Sequence, residues 1–244
     1  MVAHAMGTRR LKWQLWSFGA IVAMVATLLV AGNAPSASAA ATCHPFPDVT
    51  ASNPHCENIA WIKTQGITKP ADGLYHPLDS VSRGQMVAFL YRVERPGQAS
   101  PKCASKPYKD VSTSNVFCGY ITWAKNNGMT YGYPDGTFRA NNTVNRGSMA
   151  AFLYRISNSA HPAAACTHKP YTDVAVNSTF CKVIAWAKAN GITYGVGDGK
   201  YGPSLVVTRQ AMASFLHRIV DYRNSQGGGT TNPPCTPTVY VPCP

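Results

Sequence analysis

Acidic residues are scarce in this chain. Only 10 of its 244 residues are Asp or Glu, against 22 Lys and Arg, which gives a formal net charge of +12. Charged residues make up only 13% of the chain and hydrophobic ones 45%, which is too apolar for a disordered protein. The 20 glycines and 18 prolines interrupt the chain too often for one compact α/β enzyme domain of this length.

Long hydrophobic runs are also few, and the longest lies near the start. Residues 18–31 carry no charge, follow the basic residues Arg9, Arg10 and Lys12, and precede the small-residue sequence Ala37-Ser38-Ala39. This pattern predicts a secretory signal peptide over residues 1–39, with an uncleaved anchor helix as the alternative. Fourteen uncharged residues are short for a membrane span, which needs about 20. No membrane span is expected after cleavage.

Cleavage would leave a basic chain outside the cytoplasm. The remaining 205 residues hold 19 basic and 10 acidic residues, a formal net charge of +9. The charge alone would permit nucleic acid, but the location argues against it as a partner. Anionic cell-wall polymers are the expected counterpart.

The chain contains one sequence repeat in three copies. Five types of position recur at spacings of 62 or 63 residues, namely Asp48, Asp110 and Asp173; Trp61, Trp123 and Trp186; Gly66, Gly128 and Gly191; Gly73, Gly136 and Gly199; and Arg83, Arg146 and Arg209. The fold must therefore be derived for each unit.

The first half of each unit predicts a short helix followed by a turn. An aromatic-x-Asp-Val motif opens the unit, and in the first unit Asn53 before Pro54 predicts the N-cap. Apolar residues spaced by three then lie on one helical face, as Cys56, Ile59 and Ile62 do. The following loop contains Pro134-Asp135-Gly136 in the second unit, which is turn chemistry. A calcium loop is the alternative, although it lacks acidic residues at alternate positions.

The second half of each unit predicts an amphipathic helix. Ser82 and Gln85 form the sequence of a capping box, and Asn145 and Thr208 are the equivalent N-caps. Behind each cap stands an apolar stripe at i, i+3, i+4 and i+7, for example Met149, Phe152, Leu153 and Ile156. One such unit cannot bury this stripe alone. We therefore expect a mainly α-helical, pseudo-threefold module in which the second helices pack together, with grooves between the units.

The eight cysteines follow the same repeat. Each unit has one cysteine before its opening motif and one in its first helix, which favours the pairs Cys43–Cys56, Cys103–Cys118 and Cys166–Cys181. Zinc is the competing interpretation, because histidines lie nearby, although no Cys-x-x-Cys occurs. Cys235 and Cys243 would form a small loop in the tail.

These motifs resemble the S-layer homology domain. The resemblance is carried by the aromatic-x-Asp-Val opening, the Trp-bearing helix, the Gly-Tyr-Pro-Asp-Gly-Thr-Phe loop and the Val-Thr-Arg start of the second helix. It implies three tandem units that anchor proteins to bacterial cell walls through a secondary wall polysaccharide, commonly bearing pyruvyl ketals, and it implies no cofactor. The segments expected on this basis are a signal peptide at 1–39, repeats at 43–95, 103–157 and 166–222, and a Gly- and Pro-rich tail at 223–244.

The resemblance also implies the glycan-binding residues. They are the arginines Arg83, Arg146 and Arg209, the aspartates Asp48, Asp110 and Asp173, and the loop glycines Gly132, Gly136, Gly195 and Gly199. An arginine in the first turn of a helix places its donors beside free N–H groups and suits a carboxylate. Two alternatives are structural: each arginine could pair with the aspartate of a neighbouring unit, or the aspartates could cap backbone N–H groups.

The chain departs from the family pattern in two places. The usual Thr-Arg-Ala-Glu becomes Ser-Arg-Gly-Gln, Asn-Arg-Gly-Ser and Thr-Arg-Gln-Ala from residues 82, 145 and 208, so no unit keeps the glutamate. The first unit also has Lys69-Pro70 where the others have Tyr-Gly. We therefore expect its loop not to make the same ligand contact.

The sequence favours a secreted, non-catalytic protein held on the cell wall by an anionic polysaccharide or by peptidoglycan. A wall hydrolase, or an accessory subunit of one, is an alternative. Hydrolysis of a glycoside needs two carboxylates about 5 to 10 Å apart, yet the only glutamates, Glu57 and Glu94, do not recur between units. No histidine recurs either, so a nucleophile would lack a base. A self-assembling coat protein is the third possibility.

Overall fold

The fold is mainly helical. The computed structural model describes residues 43–157 and 163–226. It contains six helices in three helix–loop–helix units, namely α1 (Cys56–Thr64), α2 (Arg83–Glu94), α3 (Cys118–Asn126), α4 (Arg146–Ile156), α5 (Cys181–Ala189) and α6 (Arg209–Ser225). Within the described ranges only isolated β-bridges occur and no strand. The expected fold class is confirmed, although α6 extends three residues beyond the expected boundary at residue 222.

The starts of the second helices follow the sequence prediction. Ser82 and Gln85 form the capping box of α2, while Asn145 and Thr208 accept the N–H three residues on in α4 and α6. The predicted N-cap of α1 is wrong, because α1 begins at Cys56 and its N-cap is His55. The Asn53 side chain instead accepts the N–H of His55 at 2.8 Å, which closes a turn before the helix.

Three disulfides hold the start of each unit on its first helix. They join Cys43 to Cys56, Cys103 to Cys118 and Cys166 to Cys181, as the repeat predicts. A disulfide sulfur is not a thiolate ligand, so zinc binding by these cysteines is wrong. Cys235 and Cys243 lie outside the described residues, as does the predicted signal peptide.

The helices pack between units rather than within them. The second helix of each unit lies mainly against the first helix of the next, so that α2 contacts α3, α4 contacts α5, and α6 returns to α1. We expected the second helices to pack chiefly against one another, but their mutual contacts are few by comparison. The reason is that the apolar stripe of each second helix packs against the apolar face of the first helix of the following unit. The three units therefore form a closed ring with one main core.

The segments that lead into the second helices meet at the centre of this ring. Val81, Val144 and Val207 are buried and bond to one another in a cycle. The Val81 N–H donates to Val207 O at 3.0 Å, Val144 to Val81 O at 2.9 Å, and Val207 to Val144 O at 2.9 Å. This cycle marks the pseudo-threefold axis.

The contact that closes the ring differs from the other two. Tyr91 meets the Trp123 ring edge-on, and Tyr154 meets Trp186 in the same way. The equivalent of these tyrosines in α6 is His217, which stacks on Trp61 with 4.4 Å between ring centroids. The closing contact alone among the three therefore carries a titratable imidazole at this position.

Acid is expected to weaken this closing contact. Burial, and next the Arg218 charge, hold the pKa of His55 below its ordinary 6.5, and burial does the same for His217 despite the nearby Asp221 carboxylate. As the pH falls below 6.5 the unfolded chain takes up these protons first, so the free energy of unfolding falls until the pH is below both folded-state pKa values. Asp221 acts in the opposite direction at lower pH, because burial raises its pKa above 3.8.

The measurement is urea unfolding at pH about 7.5 and about 5.5. We expect a lower midpoint at the acid pH, and a smaller difference in His217→Tyr, which restores the residue found in the other two units. Equal midpoints at both pH values would contradict this expectation.

Candidate functional site

The three predicted aspartates hold the loops of their own units. Each carboxylate accepts two backbone N–H groups at 2.6 to 2.8 Å, from Tyr75 and His76 for Asp48, Phe138 and Arg139 for Asp110, and Tyr201 and Gly202 for Asp173. Burial alone would raise the pKa of Asp48, but these N–H groups outweigh it and lower the pKa. The interpretation that the aspartates satisfy backbone N–H groups is confirmed.

The three predicted arginines bind the loop of the next unit. Their Nε atoms donate to the backbone oxygens of Phe138, Tyr201 and Tyr75, from Arg83, Arg146 and Arg209 at 2.9, 2.7 and 2.7 Å. Each guanidinium also lies over the ring of the same residue, 4.6 to 4.8 Å from its centroid. Such cation–π contacts strengthen when they are shielded from water.

At each boundary between units, the arginine and the aspartate therefore bind the same loop residue and do not bind each other. No ion pair between the two sets occurs in residues 43–157 and 163–226. The expected arginine–aspartate pair is wrong, because the loop N–H groups already occupy the carboxylates. The residues between them, Tyr75, Phe138 and Tyr201, were missed, although they recur 27 or 28 positions after each aspartate.

A cavity of about 170 Å³ lies where the first unit meets the second. Its wall combines the start of α2, the loop after α3 and one side of α4, with the residues Arg83, Thr130, Tyr131, Gly132, Ser148, Ala151, Phe152, Arg155 and Phe180. Two of the predicted site residues, Arg83 and Gly132, line this cavity. We call this place the first groove and define it by Arg83, Tyr131, Gly132 and Arg155.

The same positions recur in the other units. By the repeat, the equivalent positions are Arg146, Tyr194, Gly195 and Arg218, which we call the second groove, and Arg209, Lys69, Pro70 and Arg92, which we call the third groove. Arg218 lies over the Tyr194 ring at 4.8 Å, as Arg155 lies over Tyr131 at 5.1 Å. In the third groove, Arg209 and Arg92 both approach the Phe89 ring, at 5.8 and 6.0 Å.

Each groove thus holds a second arginine that the sequence analysis missed. Arg92, Arg155 and Arg218 recur at a spacing of 63 residues, and this period could have revealed them. Arg155 is held in place by a bond from its Nη1 to Met129 O at 3.3 Å, and Arg92 by the equivalent bond to Ile67 O at 3.1 Å.

Two arginines in one cavity, one buried and one half-buried, favour an anionic ligand. Burial lowers the pKa of Arg83, and the neighbouring Arg155 charge adds to that effect in smaller part. Burial likewise lowers the pKa of Arg155. No Asp or Glu is among the residues that line the cavity. A carboxylate or phosphate entering it would offset the cost of keeping both guanidinium groups charged.

The predicted glycines divide into two pairs. Gly132 and Gly195 have φ of 71° and 82°, and a Cβ on Gly132 would lie 2.3 Å from the Tyr108 ring. Their first role is therefore to allow the loop conformation. Gly136 and Gly199 accept the backbone N–H groups of Lys109 and Thr172 and do not line the cavity. Binding roles for all four glycines stay predictions.

Packing explains the glycine that follows the arginine in the first and second units. A Cβ on Gly84 would lie 2.5 Å from the Phe117 ring, and one on Gly147 would lie 2.5 Å from the Phe180 ring. Glycine therefore allows the phenylalanine before the next unit's first helix to approach. In the third unit Gln210 takes this position and binds Asn53 of the first unit at 2.9 Å.

The fold and its grooves define a closed module of three helix–loop–helix units with arginine-rich clefts between them. The S-layer homology domain family matches residues 107–150 and 170–213, which are the second and third units. The second and third units therefore contain S-layer homology domains. The first unit lies outside the matched residues but repeats the same aspartate, aromatic and arginine contacts.

Three relatives are proteins of the bacterial surface or wall. The chain is 21% identical over 157 residues to cell surface glycoprotein 1 of Acetivibrio thermocellus, covering 62% of this chain and 7% of that protein. It is 38% identical over 55 residues to a cell surface protein of Thermoanaerobacter kivui, covering 22% and 7%. It is 34% identical over 117 residues to an uncharacterised cell wall amidase of Bacillus anthracis, covering 45% and 21%.

The chain thus spans less than a quarter of the length of each of these relatives. Together with the family match they support a cell-surface location and a wall-anchoring role. No helix in the described part of the chain has the length and apolar character needed to cross a bilayer.

Proposed function

We propose that this protein attaches non-covalently to the bacterial cell wall by binding an anionic secondary wall polysaccharide in its grooves. The observation that carries the proposal is the pair of arginines in one cavity between units, Arg83, which is buried, and Arg155, which is half-buried. The acidic substituent of the polymer would enter this cavity, and its sugar rings would lie across the adjacent loop. The basic net charge would draw such a polymer to the protein.

We further propose that the protein has no catalytic activity. The cavity is lined by no Asp, Glu, His or Cys, so it offers neither the two carboxylates of a glycosidase nor a nucleophile with its base. The amidase relative matches over only 21% of its own length. Clearing of wall substrate by the pure protein in a gel assay would overturn this part of the proposal.

The test is co-sedimentation of the mature protein with purified walls of the bacterium that makes it, before and after acid removal of the secondary polymers. We expect binding to intact walls and its loss after stripping. Binding that survives stripping would replace the polysaccharide by peptidoglycan as the ligand. Absence of binding would overturn the proposal, and sheets formed without any polysaccharide would favour a self-assembling coat.

The variants for this test are Arg155→Gln and Arg218→Gln. We expect each to weaken binding about tenfold, because a charge-assisted contact to the anion is lost. Arg83, Arg146 and Arg209 are less suitable, since replacing them would also release the loop of the next unit. Lys182→Gln is the matched control, because it removes the same charge from an exposed residue outside the cavity.

A further inference from the structure

Two tyrosines are unusually exposed for aromatic residues of this chain. Tyr131 and Tyr194 are 74% and 55% exposed. Every other Phe, Tyr and Trp in residues 43–157 and 163–226 is buried or half-buried. An aromatic ring left in water contributes little to the core, and one that also lies beside an arginine-lined cavity is available to contact a ligand.

Tyr131 lines the cavity of the first groove, and Tyr194 occupies the equivalent position of the second groove. Each precedes the groove glycine by one residue, and Tyr131 lines the cavity together with Gly132 and Arg155. The exposed rings are therefore beside the expected position of the ligand, on the loop that follows the first helix of their unit.

Each ring has an arginine guanidinium against it. The Arg155 guanidinium lies 5.1 Å from the Tyr131 centroid, and the Arg218 guanidinium lies 4.8 Å from that of Tyr194. Arg155 is itself anchored by its bond to Met129 O. A cation beneath one face steadies the ring and leaves the opposite face toward solvent. The result is a flat, rigid surface that costs little conformational entropy to use.

The third groove lacks this arrangement. Lys69 and Pro70 stand where the other grooves have Tyr and Gly, and Lys69 is exposed. Arg92, the counterpart of Arg155, lies 5.7 Å from the ring of Tyr120, which belongs to α3. The third groove therefore differs from the other two in its loop residues and not in its arginines, because each groove retains two arginines.

We propose that Tyr131 and Tyr194 are sugar-stacking platforms, each holding one pyranose ring of the wall polymer, and that only the first and second grooves are full glycan subsites. The apolar C–H face of the pyranose lies on the free face of the tyrosine ring. The acidic substituent of that sugar or of its neighbour points toward the paired arginines. This inference rests on the proposed function and adds to it which grooves bind and through which residues.

The test compares wall binding of Tyr131→Ala, Tyr194→Ala and the double variant with that of the wild type. We expect each single change to weaken binding about fivefold to tenfold, since aromatic anchors carry much of the energy of such contacts. The double variant should lose measurable retention. Tyr131→Phe should bind within about twofold of the wild type, because stacking needs the ring and not the hydroxyl. Lys69→Ala, at the equivalent position of the third groove, is the matched control and should change binding less than about twofold.

A second measurement uses the wild-type protein alone. Tetranitromethane modifies accessible tyrosines, so Tyr131 and Tyr194 should be nitrated fastest among the tyrosines of residues 43–157 and 163–226 in the free protein. Both should be protected after addition of the acid-extracted wall polymer. Modification sites are read by mass spectrometry of peptides.

The outcomes separate the two proposals. If the wild type does not bind walls, the proposed function fails and this inference fails with it. If the wild type binds but the tyrosine variants bind equally well, or if polymer leaves both rings open to nitration, the platforms alone are refuted. A loss for Lys69→Ala as large as for Tyr131→Ala would refute the restriction to two grooves.

Discussion

Reduction of the three disulfides in the described part of the chain is expected to unfold the protein at room temperature. The bridges close loops with sequence separations of 13, 15 and 15 residues. In the chain-entropy account each such bridge stabilises the fold by about 3 kcal/mol. Three of them together approach the whole stability of a typical domain, about 5 to 15 kcal/mol. Circular dichroism with and without reductant would show loss of helix at a fixed temperature.

Single-bridge variants serve as the graded control for this experiment. Replacing Cys166 and Cys181 by Ala removes one bridge and should lower the free energy of unfolding by about 3 kcal/mol without unfolding the protein at room temperature. Both cysteines are replaced together so that no free thiol remains. A reduced protein with unchanged helix content would show that packing between units is sufficient, and the large contribution assigned to the bridges would be wrong.

Gly119→Ala should be among the most destabilising single substitutions in the molecule. A Cβ at this position in α3 would lie 1.7 Å from the carbonyl oxygen of Pro101 and 2.6 Å from its carbon. The colliding atoms are backbone, and the adjoining disulfide between Cys103 and Cys118 anchors both segments, so neither can move aside cheaply. We expect a loss of about 3 kcal/mol or more, at the upper end for overpacked sites. Urea unfolding would measure it.

The repeat supplies a matched control for Gly119. Lys182 and Glu57 occupy the same position in the first helices of the other units, and both are exposed. Lys182→Ala and Glu57→Ala should change the free energy of unfolding by less than about 0.5 kcal/mol. A similar loss at all three positions would contradict this account, because the approach of Pro101 concerns Gly119 alone and alanine has the highest helix propensity.

The sequence was sufficient to predict the features that form within one unit. The caps Ser82, Asn145 and Thr208 follow from patterns within a single unit, the three disulfide pairs follow from the repeat, and each is confirmed. Local hydrogen-bond chemistry decides the caps, and each disulfide joins two cysteines of one unit, so the contacts with the neighbouring unit need not be known. The error at Asn53 is also local, because its side chain accepts the N–H of His55 and closes a turn before the helix.

What the sequence did not reveal depends on contacts between units. The apolar stripe of α2 shows that the helix needs a partner, but it does not say whether that partner is α3 or another second helix. The aromatic residue between Arg83 and Asp110 was missed for the same reason, since Phe138 gains its role only when the first unit approaches the second. Periodicity could have identified Arg155, although only the packed structure shows that it faces the same cavity as Arg83.

The cycle of bonds among Val81, Val144 and Val207 fixes how many units the module has. In an open solenoid each repeat adds to one end, so evolution can lengthen or shorten the array one copy at a time. Here every central N–H and C=O of the cycle is already taken, and the last helix completes the first unit. A fourth copy would find no unpaired backbone group in the central cycle, and deletion of one copy would leave the other two units with unpaired groups. Avidity for a polymer would therefore increase by joining whole modules, not by adding units to one.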